Sequence, residues 1–153
     1  MIKKWKSVLS FVICISMLCT VMPITGFAAE SNAASVTFGG NTTYYTTIDA
    51  AWAAAVALDT AAENKATIKL LDNCTAENTL TNTEDYLVLD TNGKTLTTPN
   101  AQYPTSSVKR GIGVDGGSLE IIGNGTVTGI SGASYARAIL LITGGEVYVN
   151  GVT

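Results

Sequence analysis

Two ten-residue stretches near the end of this 153-residue chain match column by column. Val114-Asp115-Gly116-Gly117-Ser118-Leu119-Glu120-Ile121-Ile122-Gly123 aligns with Ile142-Thr143-Gly144-Gly145-Glu146-Val147-Tyr148-Val149-Asn150-Gly151, each position i matching i+28. Apolar residues coincide at 114/142, 119/147 and 121/149, and three glycine columns coincide as well. A weaker echo relates Asn92-Gly93 and its following strand to Asn124-Gly125 and Thr126-Val127-Thr128. A period in the twenties built from short strands with glycine corners predicts stacked coils, a parallel β-helix whose inward side chains pile on one column. Asn-Gly between strands is also a hairpin signal, so an antiparallel sandwich is the rival. The matched columns favour the coil.

The rest of the chain reads the same way. Thr67 to Leu70, Tyr86 to Leu89, Lys94 to Thr98, Gly111 to Val114, Ser118 to Ile122, Thr126 to Thr128, Ala138 to Thr143 and Glu146 to Val149 are predicted strands, and a loop runs from Pro99 to Ser107. Asp72-Asn73 and Asp90-Thr91-Asn92-Gly93 supply turn chemistry between them. One segment carries a helical period instead. Thr46 is the expected N-cap, with Asp49 three residues on, and Ile48, Trp52 and Val56 share a face. The alanines from Ala50 onward extend the expected helix toward Asn64. Upstream of it, residues 29–44 read as a small, polar lead-in with a short strand at Ser35 to Phe38.

Residues 1–28 have the three parts of a secretory signal: lysines at 3, 4 and 6, an apolar run from Ser7 to Met22, and small residues around Ala28. The run is shorter than the roughly 20 residues that span a bilayer, which argues against a retained anchor. No later segment is apolar enough to cross a membrane. Cleavage removes three of nine basic residues and none of the twelve acids, leaving six against twelve and a net charge of about minus six. That surface offers no electrostatic footprint for nucleic acid. Cys74 is left as the one cysteine, so no internal disulfide forms, and histidine is absent throughout.

From Tyr45 to Thr153 the chain resembles the pectate-lyase-like right-handed β-helix region of large secreted bacterial surface proteins. The carrying residues are Thr46-Thr47-Ile48-Asp49-Ala50-Ala51-Trp52 leading into Ala66-Thr67-Ile68-Lys69-Leu70-Leu71-Asp72. Leu87-Val88-Leu89-Asp90-Thr91-Asn92-Gly93-Lys94-Thr95-Leu96 and Gly116-Gly117-Ser118-Leu119-Glu120-Ile121 complete them. The resemblance implies a mainly β chain, a right-handed parallel β-helix whose first coil is capped by the N-terminal amphipathic helix. The expected layout is a signal peptide over 1–28, a lead-in over 29–44, and cap plus rungs over 45–153. No matching cap follows the last rung, so self-association through that end, or continuation of the pattern in a longer protein, is expected.

The chemistry in the chain is sparse. Gly111-Ile112-Gly113-Val114-Asp115-Gly116 fits a dinucleotide-binding glycine pattern, but a strand rather than a helix follows it, so the glycines are read as corners. Calcium-dependent lyases of this fold need clustered carboxylates, whereas Asp90, Asp115 and Glu120 fall on different predicted rungs. Hydrolases need close carboxylate pairs, and Glu84-Asp85, the one pair of adjacent acids in the chain, is read as a solvated loop. No catalytic residue, metal or cofactor is therefore assigned. Lys109 and Arg137, separated by the spacing of the repeat, are candidates for a shared basic edge, and Tyr44, Tyr45, Tyr86, Tyr103, Tyr135 and Tyr148 for sugar-stacking platforms, Tyr103 and Tyr135 foremost. The expected function is a secreted or surface-displayed structural or adhesive module, with carbohydrate or extracellular matrix as partner. The alternative is the first part of a polysaccharide lyase or glycoside hydrolase.

Overall fold

The computed structural model describes residues 31–99, 101–102, 109–129, 136–141 and 144–153, with backbone alone at 101–102, 109–110 and 136–141. The signal segment, Tyr103 and Tyr135 lie outside the described residues. The chain is mainly β, as expected. In order, the elements are β1 (Ala34–Phe38), β2 (Asn41–Tyr45), α1 (Ile48–Val56), β3 (Ala66–Leu70), β4 (Cys74–Thr75), β5 (Leu80–Thr83) and β6 (Tyr86–Asp90). Then follow β7 (Thr95–Thr98), β8 (Ala101–Gln102), β9 (Lys109–Asp115), β10 (Ser118–Ile122), β11 (Thr126–Gly129), β12 (Ala136–Leu141) and β13 (Glu146–Val149).

These strands form three sheets: β13-β10-β6-β3-β1-β2, β11-β7-β4, and β12-β9-β5 with β8 alongside β9. From β3 onward each sheet grows by parallel pairing, except where β8 runs antiparallel to β9. Ser118 pairs with Glu146, Leu119 with Val147 and Ile121 with Val149, which is the i, i+28 match of the repeat. The offset is not constant. Position i meets i+21 between β3 and β6 (Ala66 with Leu87), i+32 between β6 and β10 (Tyr86 with Ser118), and i+27 between β9 and β12 (Lys109 with Ala136). Loops of different length at the corners absorb the difference without disturbing the inward columns.

Alternation of burial follows from the two-residue period of a strand. Ile68, Leu89 and Ile121 form one inward column, with Val149 at its uncovered end, and Ala66, Leu87, Leu119 and Val147 form another. A third column, Cys74-Leu96-Val127, comes from the three-stranded sheet. Ile68, Leu87, Leu89, Leu96, Leu119 and Ile121 are fully buried. Each such side chain contributes roughly 1.5–3 kcal/mol of apolar burial.

Two corners hold buried polar side chains that carry backbone hydrogen bonds. Asn82, at the step from β5 to β6, donates through Nδ2 to the carbonyls of Asp85 (3.0 Å) and Ser118 (3.1 Å) and accepts from Asp85 N (3.1 Å). Thr91, after β6, donates to Ile122 O (2.9 Å) and accepts from Gly125 N (3.1 Å). Both residues are fully buried, so these partners replace the water that the amide and hydroxyl lose on folding. Gly117 is required at the next corner: its φ is +60°, and a Cβ there would lie 2.1 Å from Asp85 O.

Three details differ from the sequence expectation. The lead-in holds two strands, because Ala34 to Phe38 pairs antiparallel both with β2 and with β3 and so closes one edge of the six-stranded sheet. The helix starts one residue late, with Thr47 as N-cap accepting from Ala50 N at 3.2 Å, and ends at Val56 rather than near Asn64. Alanine propensity loses there to tertiary demand. Thr60 Oγ1 accepts the Tyr86 amide at 2.9 Å, and Ala61 bridges Asn64, which fixes the descent into β3 in a non-helical path. Short β4, β5 and β8, the last inside the expected Pro99 to Ser107 loop, are absent from the strand expectation because they have too little apolar content to announce themselves.

The helix nevertheless covers an edge. Ile48, Ala51, Trp52 and Ala55 are buried, Trp52 Nε1 donates to Thr81 O on β5 at 2.8 Å, and Asp49 accepts from the amides of Glu77 (3.0 Å) and Asn78 (2.9 Å). Backbone groups of the four-stranded sheet and its approach thus find partners on α1, which removes an otherwise open edge.

Candidate binding face

The outward side of the six-stranded sheet carries the chemistry. Its residues alternate with the core columns, so the register dictates three rows. Tyr86, Ser118 and Glu146 form one; Thr67, Val88, Glu120 and Tyr148 form the second; Ser35, Lys69, Asp90 and Ile122 form the third, which Tyr44 extends on β2. Strands in a sheet stand about 4.8 Å apart, so Tyr44 and Tyr148, five strands apart, mark the two ends of a face about 24 Å wide. Both rings are exposed, at 59% and 55%.

Between the tyrosines, charges are paired rather than clustered. Lys65 Nζ lies 3.3 Å from Glu120 Oε2, and Lys69 Nζ 3.6 Å from Asp90 Oδ2. Both pairs are partly solvated, so they fix side-chain direction more than they stabilise the fold. Tyr148 Oη donates to Glu146 Oε2 at 2.8 Å, and this bond with the neighbouring carboxylate raises the phenol's pKa. Lys65, Glu120, Val147, Tyr148, Val149 and Asn150 line an open groove of about 580 Å³ at this end. The groove offers an aromatic ring, ammonium and amide donors, and carboxylate acceptors side by side. Ring faces take apolar C–H surfaces, and the polar groups take hydroxyls.

The outward side of the three-stranded sheet is different in kind. Thr95 stands beside Thr126, and Thr75, Thr97 and Thr128 share a column, with no charge among them. Thr153 joins the first column, since its N–H reaches Gly125 O at 3.1 Å and its carbonyl accepts from Val127 N at 2.9 Å.

Of the tyrosines singled out in the sequence, Tyr44, Tyr86 and Tyr148 lie on the outward face of the six-stranded sheet; the basic and acidic candidates are arranged differently. Lys109 on β9 pairs with Ala136, and Arg137 on β12 pairs with Arg110. That ladder matches i with i+27, so the spacing of the repeat leaves Lys109 and Arg137 one position out of step. Gly111 to Gly116 runs along β9 into a turn and on to β10, so no helix N-terminus follows these glycines. Asp115 sits opposite Thr83 in the four-stranded sheet, away from Asp90 and Glu120 in the six-stranded one. Among the described residues no group of three metal-binding side chains occurs. Glu84 and Asp85 do form a turn, with Glu84 at φ 66°, but Asp85 is not simply solvated. Burial raises its carboxyl pKa, against the opposing pull of the Thr83 backbone and the Thr60 hydroxyl.

Sequence reasoning missed the two Lys–carboxylate pairs. Alternation in Thr67-Ile68-Lys69 and in Leu89-Asp90 places these groups outward, but their pairing depends on the unequal offsets of β3 with β6 and of β6 with β10, which only the corners set. Among the described residues no helix is long and apolar enough to cross a membrane. No family model matches the chain, and no curated protein or solved structure matches it.

Proposed function

We propose that the chain is a secreted or cell-surface β-helix module of the pectate-lyase-like kind, non-catalytic, with a structural or adhesive role exercised by contacting carbohydrate. The observation that carries this reading is the outward face of the six-stranded sheet, where Tyr44, Tyr86 and Tyr148 flank the Lys65–Glu120 and Lys69–Asp90 pairs. Parallel registers in all three sheets support the coil, because the chain visits them in one fixed order: β3-β4-β5, β6-β7-β9, then β10-β11-β12. Right-handed winding follows from the general rule for parallel crossovers. The strand separation of about 4.8 Å is close to the length of one pyranose unit, so a linear glycan lying across the strands meets one row element per sugar. The apolar run and small-residue exit at residues 7–28 support export.

The test is retention of the protein in affinity gels cast with a panel of soluble polysaccharides. At least one should retard it, and Tyr148→Ala combined with Tyr86→Ala should weaken that interaction at least about fivefold, the loss of roughly 1 kcal/mol of ring contact. Absence of retardation across the panel, or a double variant that binds undiminished, refutes the assignment. Release of unsaturated product from polygalacturonate with calcium would instead favour a lyase.

A further inference from the structure

We propose that Asn150–Gly151 is a self-modifying site at which Asn150 deamidates, while the fold protects the chemically identical pairs Asn92–Gly93 and Asn124–Gly125. The glycine nitrogen following an asparagine can attack that side chain's Cγ. The new Cγ–N bond closes a five-membered succinimide, the Cγ–Nδ2 bond breaks, and Nδ2 leaves as ammonia with the proton the glycine amide gives up. Water then opens the ring at either carbonyl to give aspartate or isoaspartate. Nothing else is consumed. The step needs a glycine N–H that is free to lose its proton and an asparagine side chain free to turn toward it.

Each of the three pairs meets those needs differently. At Asn92 the side-chain amide is held by Leu70 O at 3.0 Å and the residue's own N–H by Asp90 Oδ1 at 2.8 Å, with φ at 50°. At Asn124 the attacking nitrogen itself is engaged, since Gly125 N–H donates to the buried Thr91 hydroxyl at 3.1 Å. At Asn150 neither tie exists among the described residues. Its backbone N–H reaches Ile121 O at 2.9 Å, but the side-chain amide and the Gly151 N–H have no such partner, and both residues are exposed. Conversion there places a carboxylate on the groove that Lys65, Glu120 and Tyr148 line, or, as isoaspartate, adds a backbone atom just before the bonds that Thr153 makes with Gly125 and Val127.

The experiment is peptide mapping by mass spectrometry of the protein aged at mildly alkaline pH, folded and in denaturant. In the folded protein Asn150 should convert about tenfold faster than Asn92 or Asn124, the factor that one hydrogen bond of roughly 1.4 kcal/mol accounts for. In denaturant the three rates should converge. Gly151→Ala is compared in denaturant, where the positive φ of Gly151 and the nearness of Gly123 O no longer matter. There it should slow conversion at Asn150 and leave the other two sites unchanged. Equal rates in the folded protein, a parent ranking that survives denaturant, or unslowed conversion in the variant overturns the proposal.

Discussion

Replacing Asn82 by alanine should remove a side-chain hydrogen-bond link between the four-stranded and six-stranded sheets. The side chain is fully buried and makes three hydrogen bonds, all to backbone: to Asp85 O, Ser118 O and from Asp85 N. At about 1 kcal/mol net for each bond, the loss is about 3 kcal/mol. For a domain of this size that is a fall of about 10 °C in Tm. Urea titration followed by far-UV circular dichroism and by Trp52 fluorescence measures it. The control is Asn124→Ala, on an exposed corner, which should cost under about 0.5 kcal/mol. Asn82→Asp sharpens the test. A carboxylate oxygen would then face the two carbonyls that now receive Nδ2, so its folded-state pKa lies above its unfolded value. Protons are therefore taken up on folding, and the variant's deficit relative to the parent shrinks as pH falls toward about 4, the unfolded carboxylate value. An alanine variant within about 1 kcal/mol of the parent, or an aspartate deficit flat with pH, refutes the account.

Leu119→Ala, deleting a fully buried side chain between Leu87 and Val147, should cost about 2–5 kcal/mol in the same titration. Gly117→Ala should cost at least about 2 kcal/mol, because Asp85 O occupies the space a Cβ needs and φ is positive. Asp85→Asn removes a carboxyl whose pKa burial raises, so the variant gains stability relative to the parent at neutral pH. That gain disappears below the unfolded carboxylate value near pH 4, and a constant difference across pH would count against it. Burial, and the negative charge of Asp72, raise the Cys74 thiol's pKa, so a disulfide-exchange reagent at neutral pH should label it only after unfolding.

The inward columns were legible because alternation and the glycine match at 116/144, 117/145 and 123/151 report on positions that must be apolar or tightly turned. The strand Ser118–Ile122 and its partner Glu146–Val149 were therefore placed to the residue. The helix was legible as a face, not as a length: Ile48 and Trp52 are buried as the period requires, but alanine runs do not encode where a chain must turn down. The outward face was the least legible part. Lys69 and Asp90 meet because β3 and β6 pair i with i+21, a shorter offset than the visible repeat. The repeat itself suggested columns such as Lys109 with Arg137, which the i, i+27 ladder of β9 and β12 separates. A corner that adds or drops one residue leaves the core apolar and rewrites every outward neighbour.

The antiparallel hairpin of β1 and β2 gives this architecture a beginning that differs from its body. In the six-stranded sheet every strand after β3 pairs parallel with its neighbours, so in the coil proposed above a segment making one full circuit can be duplicated between β6 and β10 and still find like neighbours on both sides. The hairpin and helix would be untouched by such a duplication. On that proposed architecture, length is a heritable variable that changes in whole circuits, each adding about 4.8 Å of reach along the stack, while the fold at the start of the chain stays constant.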